Sequence, residues 1–339
     1  MVTLSVSMDI LQKRGNLVMM DSVLYFKNFP MGTEIQIAGS FVYLGLQEFN
    51  RLKSFYHEDE VFPVLYHIAI GIERLQKVLV VLTEEITVVN REKVEEELKK
   101  LGHRHVALHN RIRENISVQF TKDELKLLHL LNDFYKYCRY DRFKLDNSYA
   151  KERDLLVKFF NLSLDKNINM DAFWPTPNDY ENKRFFGKLV GSVCRKYYRL
   201  IEEEARRQGI YTYEVRYDTP AAKVFLVDLG GDSFQKQYDN EQIALKELLI
   251  FCMNTREQSP YWDLLRGIEP LDMDVAGVLQ EYLTEVLVGN VPQSLIDEVS
   301  TCYEMAEPEF IKERLDKLKL VGNPYVYINF MDDEESMKD

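Results

Sequence analysis

Cysteine is scarce in this chain, and its few cysteines stand far apart. Neighbouring members of the set Cys138, Cys194, Cys252 and Cys302 are separated by at least fifty residues. The sequence therefore lacks the CxxC pairs of a zinc ribbon and the close spacing of a small disulfide framework. We expect free, buried thiols in a protein of a reducing compartment.

Long apolar runs are missing as well. No stretch approaches the roughly 18 uninterrupted apolar residues of a membrane span, and the N-terminus lacks the basic, apolar and small-residue order of a signal peptide. These absences predict a cytoplasmic protein without a membrane-spanning helix.

Glycine and proline are sparse, with 15 Gly and 10 Pro in 339 residues, of which 46% are hydrophobic and 29% charged. This composition excludes collagenous, low-complexity and disordered proteins and is typical of a well-packed globular one. A chain of this length usually forms two domains.

Histidine is absent from the second half, since all six histidines lie before residue 130. Charge is uneven too. Residues 1–150 contain 20 basic and 20 acidic side chains, whereas residues 151–339 contain 23 and 35, so the net charge of −12 belongs to the second half. We expect the two halves to face different partners.

Apolar residues recur at three- and four-residue spacing from about residue 37, which predicts an antiparallel helical bundle over residues 36–165. One of its helices begins with Thr121 and Glu124, the order of a capping box, and another ends at Gly102. Residues 1–35 are predicted to form an arm or short hairpin, because Pro30 and Gly32 mark a turn.

The densest Pro and Asn cluster, near residue 170, predicts the domain boundary. Residues 166–330 are predicted to form a second, mostly helical domain, whose first long helix ends at Gly209. Residues 210–217 and 221–231 combine β-branched and aromatic residues with turn chemistry, which predicts a short β-hairpin. Residues 331–339 are predicted to be an acidic tail.

The segment GHRHVALHNRIR, which begins at Gly102, contains the residues best suited to catalysis. An arginine such as Arg104 can hold a phosphate by two bonds, and histidines such as His105 and His109 can transfer protons near neutral pH. Residues 103–144 contain nine basic and five acidic side chains. This predicts cleavage of RNA without a metal, in which His109 takes the ribose 2′-hydroxyl proton and Arg104 stabilises the phosphorane.

The arginines nearby predict an RNA-binding surface. Arg139 and Arg142 stand at the end of a predicted helix beside Tyr135, Tyr137 and Tyr140, and Arg111 lies in the histidine segment. Bases stack on tyrosine rings and phosphates bind arginines. The alternative for the two helix-end arginines is simple neutralisation of the helix dipole.

A metal site has less support. His105 and His109 are four residues apart, the spacing by which a helix presents two ligands, but no third ligand follows in the sequence. We therefore expect neither a metal nor a cofactor.

The order IERLQKVLVVL, then GHRHVALH, then a helix ending FYKYCRYDRF resembles the HEPN superfamily of helical bundles over about residues 36–160. Many members are metal-independent ribonucleases with an Arg-x4–6-His motif, found among toxins and antiviral-defence proteins. The resemblance implies that Arg104 and His109 are catalytic and that His105 occupies the polar second position. One such pair supplies only one acid or base, so we expect a symmetric dimer to complete the site.

A second interpretation rests on Glu73, Lys77, the Gly102-His103 step and Arg139-Tyr140, which look like the non-catalytic branch of the same superfamily. Those bundles bind partners or nucleotides. This interpretation predicts a helical docking module for a protein or nucleotide, with the acidic C-terminal domain contacting a protein partner. The ribonuclease hypothesis instead predicts two partners, RNA and a second copy of the chain.

Overall fold

The computed structural model describes residues 22–84, 86–87, 90–138, 151–170, 173–210, 215–226 and 233–324. These residues contain thirteen helices: α1 Ser22–Arg51, α2 Glu58–Thr83, α3 Arg91–Leu101, α4 His105–Asn115, α5 Lys122–Tyr137, α6 Lys151–Leu164, α7 Tyr180–Arg207, α8 Pro220–Phe225, α9 Ser233–Asn254, α10 Pro260–Arg266, α11 Leu279–Leu287, α12 Gln293–Glu304 and α13 Pro308–Leu318. The described residues form no β-strand, only an isolated bridge between Ser54 and Pro177. The predicted mainly helical fold is confirmed.

Helix α2 is the centre of the first bundle. Its apolar residues face neighbours on every side, and fifteen of its residues are buried. It packs against α1 along much of its length and also contacts α4, α6 and α7. Burying one large aliphatic side chain contributes roughly 1.5–3 kcal/mol to the free energy of unfolding. A helix that is buried on all sides sums many such contributions, so α2 stabilises the bundle around it. The described helices include none with both the length and the apolar content of a membrane span.

The N-terminal arm was predicted wrongly for residues 22–35, because helix α1 begins at Ser22 and continues through Pro30. The buried positions Met31, Ile35, Ala38 and Val42 keep one apolar face against the bundle through that segment. Packing of this face outweighs the local cost of the proline. Residues 1–21 lie outside the described part of the chain.

The local signals at helix ends are confirmed. The Thr121 side chain accepts a hydrogen bond from the Glu124 amide, and the Glu124 carboxylate accepts one from the Thr121 amide. Gly102 and Gly209 follow α3 and α7 with φ angles of 55° and 69°. Glycine adopts this left-handed conformation without steric cost, so each residue suits a helix terminus.

The second strand of the predicted hairpin is wrong, because residues 220–225 form helix α8. Thr219 caps this helix by accepting a hydrogen bond from the Ala222 amide, and Pro220 occupies its first turn. Phe225 is buried and stacks on Tyr198 of α7, with ring centroids 4.9 Å apart. Packing against α7 therefore selects a helix where the composition favours a strand. Residues 211–214 of the first predicted strand are outside the described residues.

The chain divides into two compact units, Met1–Tyr238 and Asp239–Asp339, and not near residue 165. Helix α7 belongs to the first unit because its Phe186 packs on Phe49 of α1 and Phe160 of α6, with ring centroids 4.3 and 5.9 Å apart. The second unit contains α10 to α13 and most of α9. Its predicted acidic tail, residues 331–339, lies outside the described residues.

Helices α1 and α2 approach so closely that glycine is required at their crossing. A Cβ atom on Gly71 of α2 would lie 2.9 Å from the Ala38 carbonyl oxygen and 2.5 Å from a methyl group of Val42. A Cβ atom on Gly187 of α7 would instead meet its nearest neighbours at 3.5 to 3.7 Å, an ordinary contact. The two glycines thus differ in available space although both are helical.

We expect Gly71→Ala to destabilise the protein by about 1–3 kcal/mol, because overpacking exceeds the gain in helix propensity. The matched control Gly187→Ala should be neutral or stabilise by up to about 1 kcal/mol. Urea unfolding of the two variants and the wild type measures both effects. Equal midpoints for the two variants would show that the helix crossing is not tight.

Candidate functional site

Helix α4 carries the two histidines of the predicted catalytic motif, and both face the interior. His105 and His109 are four residues apart, so they share one face of the helix. Both are buried, with 0% and 3% of their surface exposed. This inward face contacts α2, α5 and α7.

The Gln76 side chain of α2 forms hydrogen bonds with the first residue of α4. Its side-chain oxygen accepts a hydrogen bond from Nδ1 of His105 over 3.0 Å. Its Nε2 atom donates to the His105 carbonyl oxygen over 3.0 Å and to the Tyr197 hydroxyl over 2.9 Å. Gln76 is fully buried, and these bonds satisfy its amide hydrogens.

Tyr197 of α7 extends this buried chain to His109. The Tyr197 hydroxyl accepts from Gln76, so its own proton is donated to Nδ1 of His109, 2.8 Å away. The His109 ring proton then belongs on Nε2. Phe120 covers the same ring, with centroids 4.5 Å apart. Gln76, His105, Tyr197 and His109 together are called the buried polar chain below.

Both imidazoles of the buried polar chain are held neutral. Burial lowers the pKa of His105 to about 4. Burial, with a smaller contribution from the charge of Arg113, lowers the pKa of His109 to about 4. A charged ring here would lose its hydration without gaining a carboxylate partner among the described residues. These rings are therefore unsuited to proton transfer near neutral pH.

Arg104 does not meet His109. Its side chain is exposed and folds back on α3, where Nε and an η nitrogen donate to the carbonyl oxygens of Leu101 and Lys100, 3.2 and 2.6 Å away. It therefore caps the C-terminus of α3. The structure does not bring this guanidinium and the His109 imidazole into the shared, solvent-reachable pocket that the predicted cleavage requires.

Among the predicted RNA-binding residues, Arg111 is engaged within the protein. It forms ion pairs with Glu84 and Glu114 at 2.7 and 2.9 Å. Two carboxylates therefore compensate the charge that a phosphate would use. Arg139, Tyr140 and Arg142 lie outside the described residues.

A cleft lined in part by His103 brings charged side chains and an aromatic ring together. It has a volume of about 430 Å³ and is bounded by α1, α2, α3 and α5. Its lining contains six apolar residues, Phe26, Met31, Ile70, Val78, Val81 and Leu98, and six polar ones, Glu34, Glu73, Arg74, Lys77, His103 and Tyr135. We call it the Glu73 cleft.

The Glu73 carboxylate is the most buried charge in this cleft and holds two neighbours in place. One oxygen accepts from Nζ of Lys77 over 2.6 Å, and the other lies 2.7 Å from Nδ1 of His103. Burial alone would raise the pKa of Glu73, but the hydrogen bonds from Lys77 and His103 outweigh it and keep the pKa below its usual range. Glu73 is thus ionised at neutral pH.

The other polar residues of the lining form a second ion pair and an aromatic stack. Arg74 pairs with Glu34 of α1, and about one third of each side chain is exposed. The His103 ring stacks on Tyr135, with centroids 4.5 Å apart and planes inclined by only 7°. The cleft can therefore contact an anion through Arg74 or Lys77 and a planar group beside its rings.

Sequence reasoning named Glu73, Lys77 and His103 as the mark of a binding module, and the structure brings these three together. It missed Arg74 and Glu34, and it assigned Tyr135 to an RNA-binding groove. Arg74 and Lys77 follow Ile70 at helical spacing on one face of α2, which is a detectable signal. The pairing of Glu73 with His103 across thirty residues has no local signal.

A comparison with known proteins finds no matching family model, no similar curated protein and no similar solved structure. The likeness to the HEPN superfamily thus stays a resemblance. In the part of the chain that the structure describes, no group of three His, Cys, Asp or Glu side chains has a metal-binding arrangement.

The buried histidines predict a characteristic loss of stability in mild acid. Their folded pKa of about 4 lies below the unfolded value of 6.5. The unfolded chain therefore binds more protons between those values, and stability present above pH 6.5 is lost as the pH falls toward 4. Two such rings imply a loss on the order of 3 kcal/mol between pH 7 and pH 5. Urea unfolding at a series of pH values measures it.

The variant His109→Gln should reduce this pH dependence by about half, because glutamine accepts the Tyr197 hydrogen bond without titrating. His129→Gln changes an exposed histidine and is the matched control, for which we expect the wild-type dependence. An unchanged slope in His109→Gln would contradict the assignment.

Proposed function

We propose that the first unit is a binding module without catalytic turnover, and that the Glu73 cleft binds a small ligand of nucleoside monophosphate size. The observation that carries the proposal is the Glu73 carboxylate, which fixes Lys77 and His103 at the wall of a largely apolar cleft. A fixed polar group in an apolar concavity is the usual composition of a ligand site.

The size of the cleft supports a ligand of this class. Sites for small molecules have volumes of roughly 300–1,000 Å³, and the cleft, at about 430 Å³, lies in the lower part of that range. A macromolecular partner would need a broader surface than a cleft of this volume.

The charge of the cleft limits how much negative charge a bound anion can carry. Arg74 and Lys77 are balanced by Glu34 and Glu73. One compact anionic group can replace a carboxylate at either cation, whereas a triphosphate would add negative charge that the cleft does not compensate. This balance favours a monophosphate over a polyphosphate.

The rings of the cleft support a planar group on the ligand. His103 is fixed parallel to Tyr135, and Phe26, which also lines the cleft, is 40% exposed. Nucleobases stack on such side chains with about 1–3 kcal/mol per base. A ligand with an aromatic base and one phosphate can contact both the rings and the cations of the cleft.

Metal-independent RNA cleavage through Arg104 and His109 stays a prediction, and the geometry does not support it. His109 is buried and bonded to Tyr197, and Arg104 caps α3. The described charges of the Glu73 cleft are arranged in compensated pairs, which suits binding more than the removal of a proton from a substrate.

Titration calorimetry with adenosine and uridine 5′-monophosphate tests the proposal. We expect a dissociation constant on the order of 10 µM to 1 mM and recovery of the nucleotide unchanged. Lys77→Gln should weaken binding at least about tenfold, because a charge-assisted bond to the phosphate is lost. Adenosine triphosphate should bind more weakly than the monophosphate.

The matched control is Lys99→Gln, which removes the same charge from an exposed ion pair with Glu95 on α3. It should bind like the wild type, and both variants should retain the helical circular dichroism spectrum. The proposal fails if none of the nucleotides binds, or if Lys77→Gln binds as tightly as Lys99→Gln.

A further inference from the structure

The second unit leaves large apolar side chains exposed to solvent. In its described residues, 239–324, no side chain is buried, and helices α10 to α13 contribute none to a core. Along residues 243–253 of α9, six large apolar side chains are exposed by 45 to 76%: Ile243, Leu245, Leu248, Ile250, Phe251 and Met253.

A helix that is apolar around most of its circumference is normally buried. Leu245, Leu248 and Cys252 recur at the three- and four-residue spacing of one face, and Phe251 lies beside them in contact with Trp262. Soluble proteins rarely leave a contiguous apolar patch of this kind uncovered, and such patches mark interaction sites. Residues 243–253 are called the exposed α9 segment below.

The charge of the unit identifies the partner. Residues 239–324 contain 17 acidic and 7 basic side chains, a formal net charge of −10. A second copy of the unit carries the same charge and is repelled, and so is an anionic membrane surface. A basic surface is attracted and gains electrostatic complementarity over the whole unit.

We propose that the exposed α9 segment is the docking surface for a basic amphipathic helix of a partner protein. The apolar stripe of that helix covers Leu245 and Leu248, and its basic residues face the acidic unit around them. This is the recognition mode in which the apolar side chains provide anchors at i, i+3, i+4 and i+7. The proposal does not depend on the Glu73 cleft.

The test uses the full chain and a labelled synthetic peptide of 18 residues, with leucine at i, i+3, i+4 and i+7 positions and lysine elsewhere. Fluorescence anisotropy should show saturable binding that weakens at least about tenfold at high salt. A peptide of the same composition with its leucines permuted off one face should bind at least about tenfold more weakly.

The double variant Leu245→Ser/Leu248→Ser should weaken binding of the amphipathic peptide at least about tenfold. Leu162→Ser changes a leucine of α6 in the first unit that is 64% exposed and is the matched control, with wild-type affinity expected. Circular dichroism and urea unfolding confirm that each variant is folded.

Several outcomes overturn the proposal. One is no peptide binding, and another is equal binding of the permuted peptide, which would reduce the interaction to charge. Light scattering that shows a dimer dissociated by the double variant would assign the segment to a second copy. Vesicle binding abolished by the same variant would assign it to a membrane.

Discussion

The buried polar chain of Gln76, His105, Tyr197 and His109 is the constraint on which the rest of the first unit depends. It joins α2, α4 and α7 through hydrogen bonds of 2.8 to 3.0 Å between buried side chains. Each bond contributes only about 0.5–1.5 kcal/mol, but leaving one partner unsatisfied costs about 1–3 kcal/mol. The buried polar chain therefore fixes the position of α4. It also fixes the Gly102 turn before α4, which places His103 beside Glu73.

Local physics explains what sequence reasoning predicted of the fold. The capping box at Thr121 and the glycines after α3 and α7 act within a few residues, so the sequence shows them directly. The errors come from tertiary packing. Pro30 lies inside α1 because its buried face continues past it, and residues 220–225 are helical because Phe225 packs on Tyr198. Aromatic packing of Phe186 against α1 and α6 likewise moves the division of the chain to residue 238.

The candidate site shows the same limit. Spacing correctly placed His105 and His109 on one helical face, but it does not state whether that face meets solvent or the interior. Gln76 and Tyr197, which decide the matter, lie 29 and 88 residues away from their histidine partners. A histidine beside an arginine therefore suggested catalysis, although the one histidine of the segment that lines the cleft is His103. Its partner Glu73 is visible in the sequence only through the resemblance to a binding module.

The most direct test of this account is nuclear magnetic resonance of the imidazole nitrogens of His105 and His109 at pH values from 7 to 5. Both rings are expected to remain neutral throughout, with the proton on Nδ1 of His105 and on Nε2 of His109. If either ring titrates near 6.5, it reaches solvent, the buried polar chain does not exist as described, and His109 is again available for proton transfer.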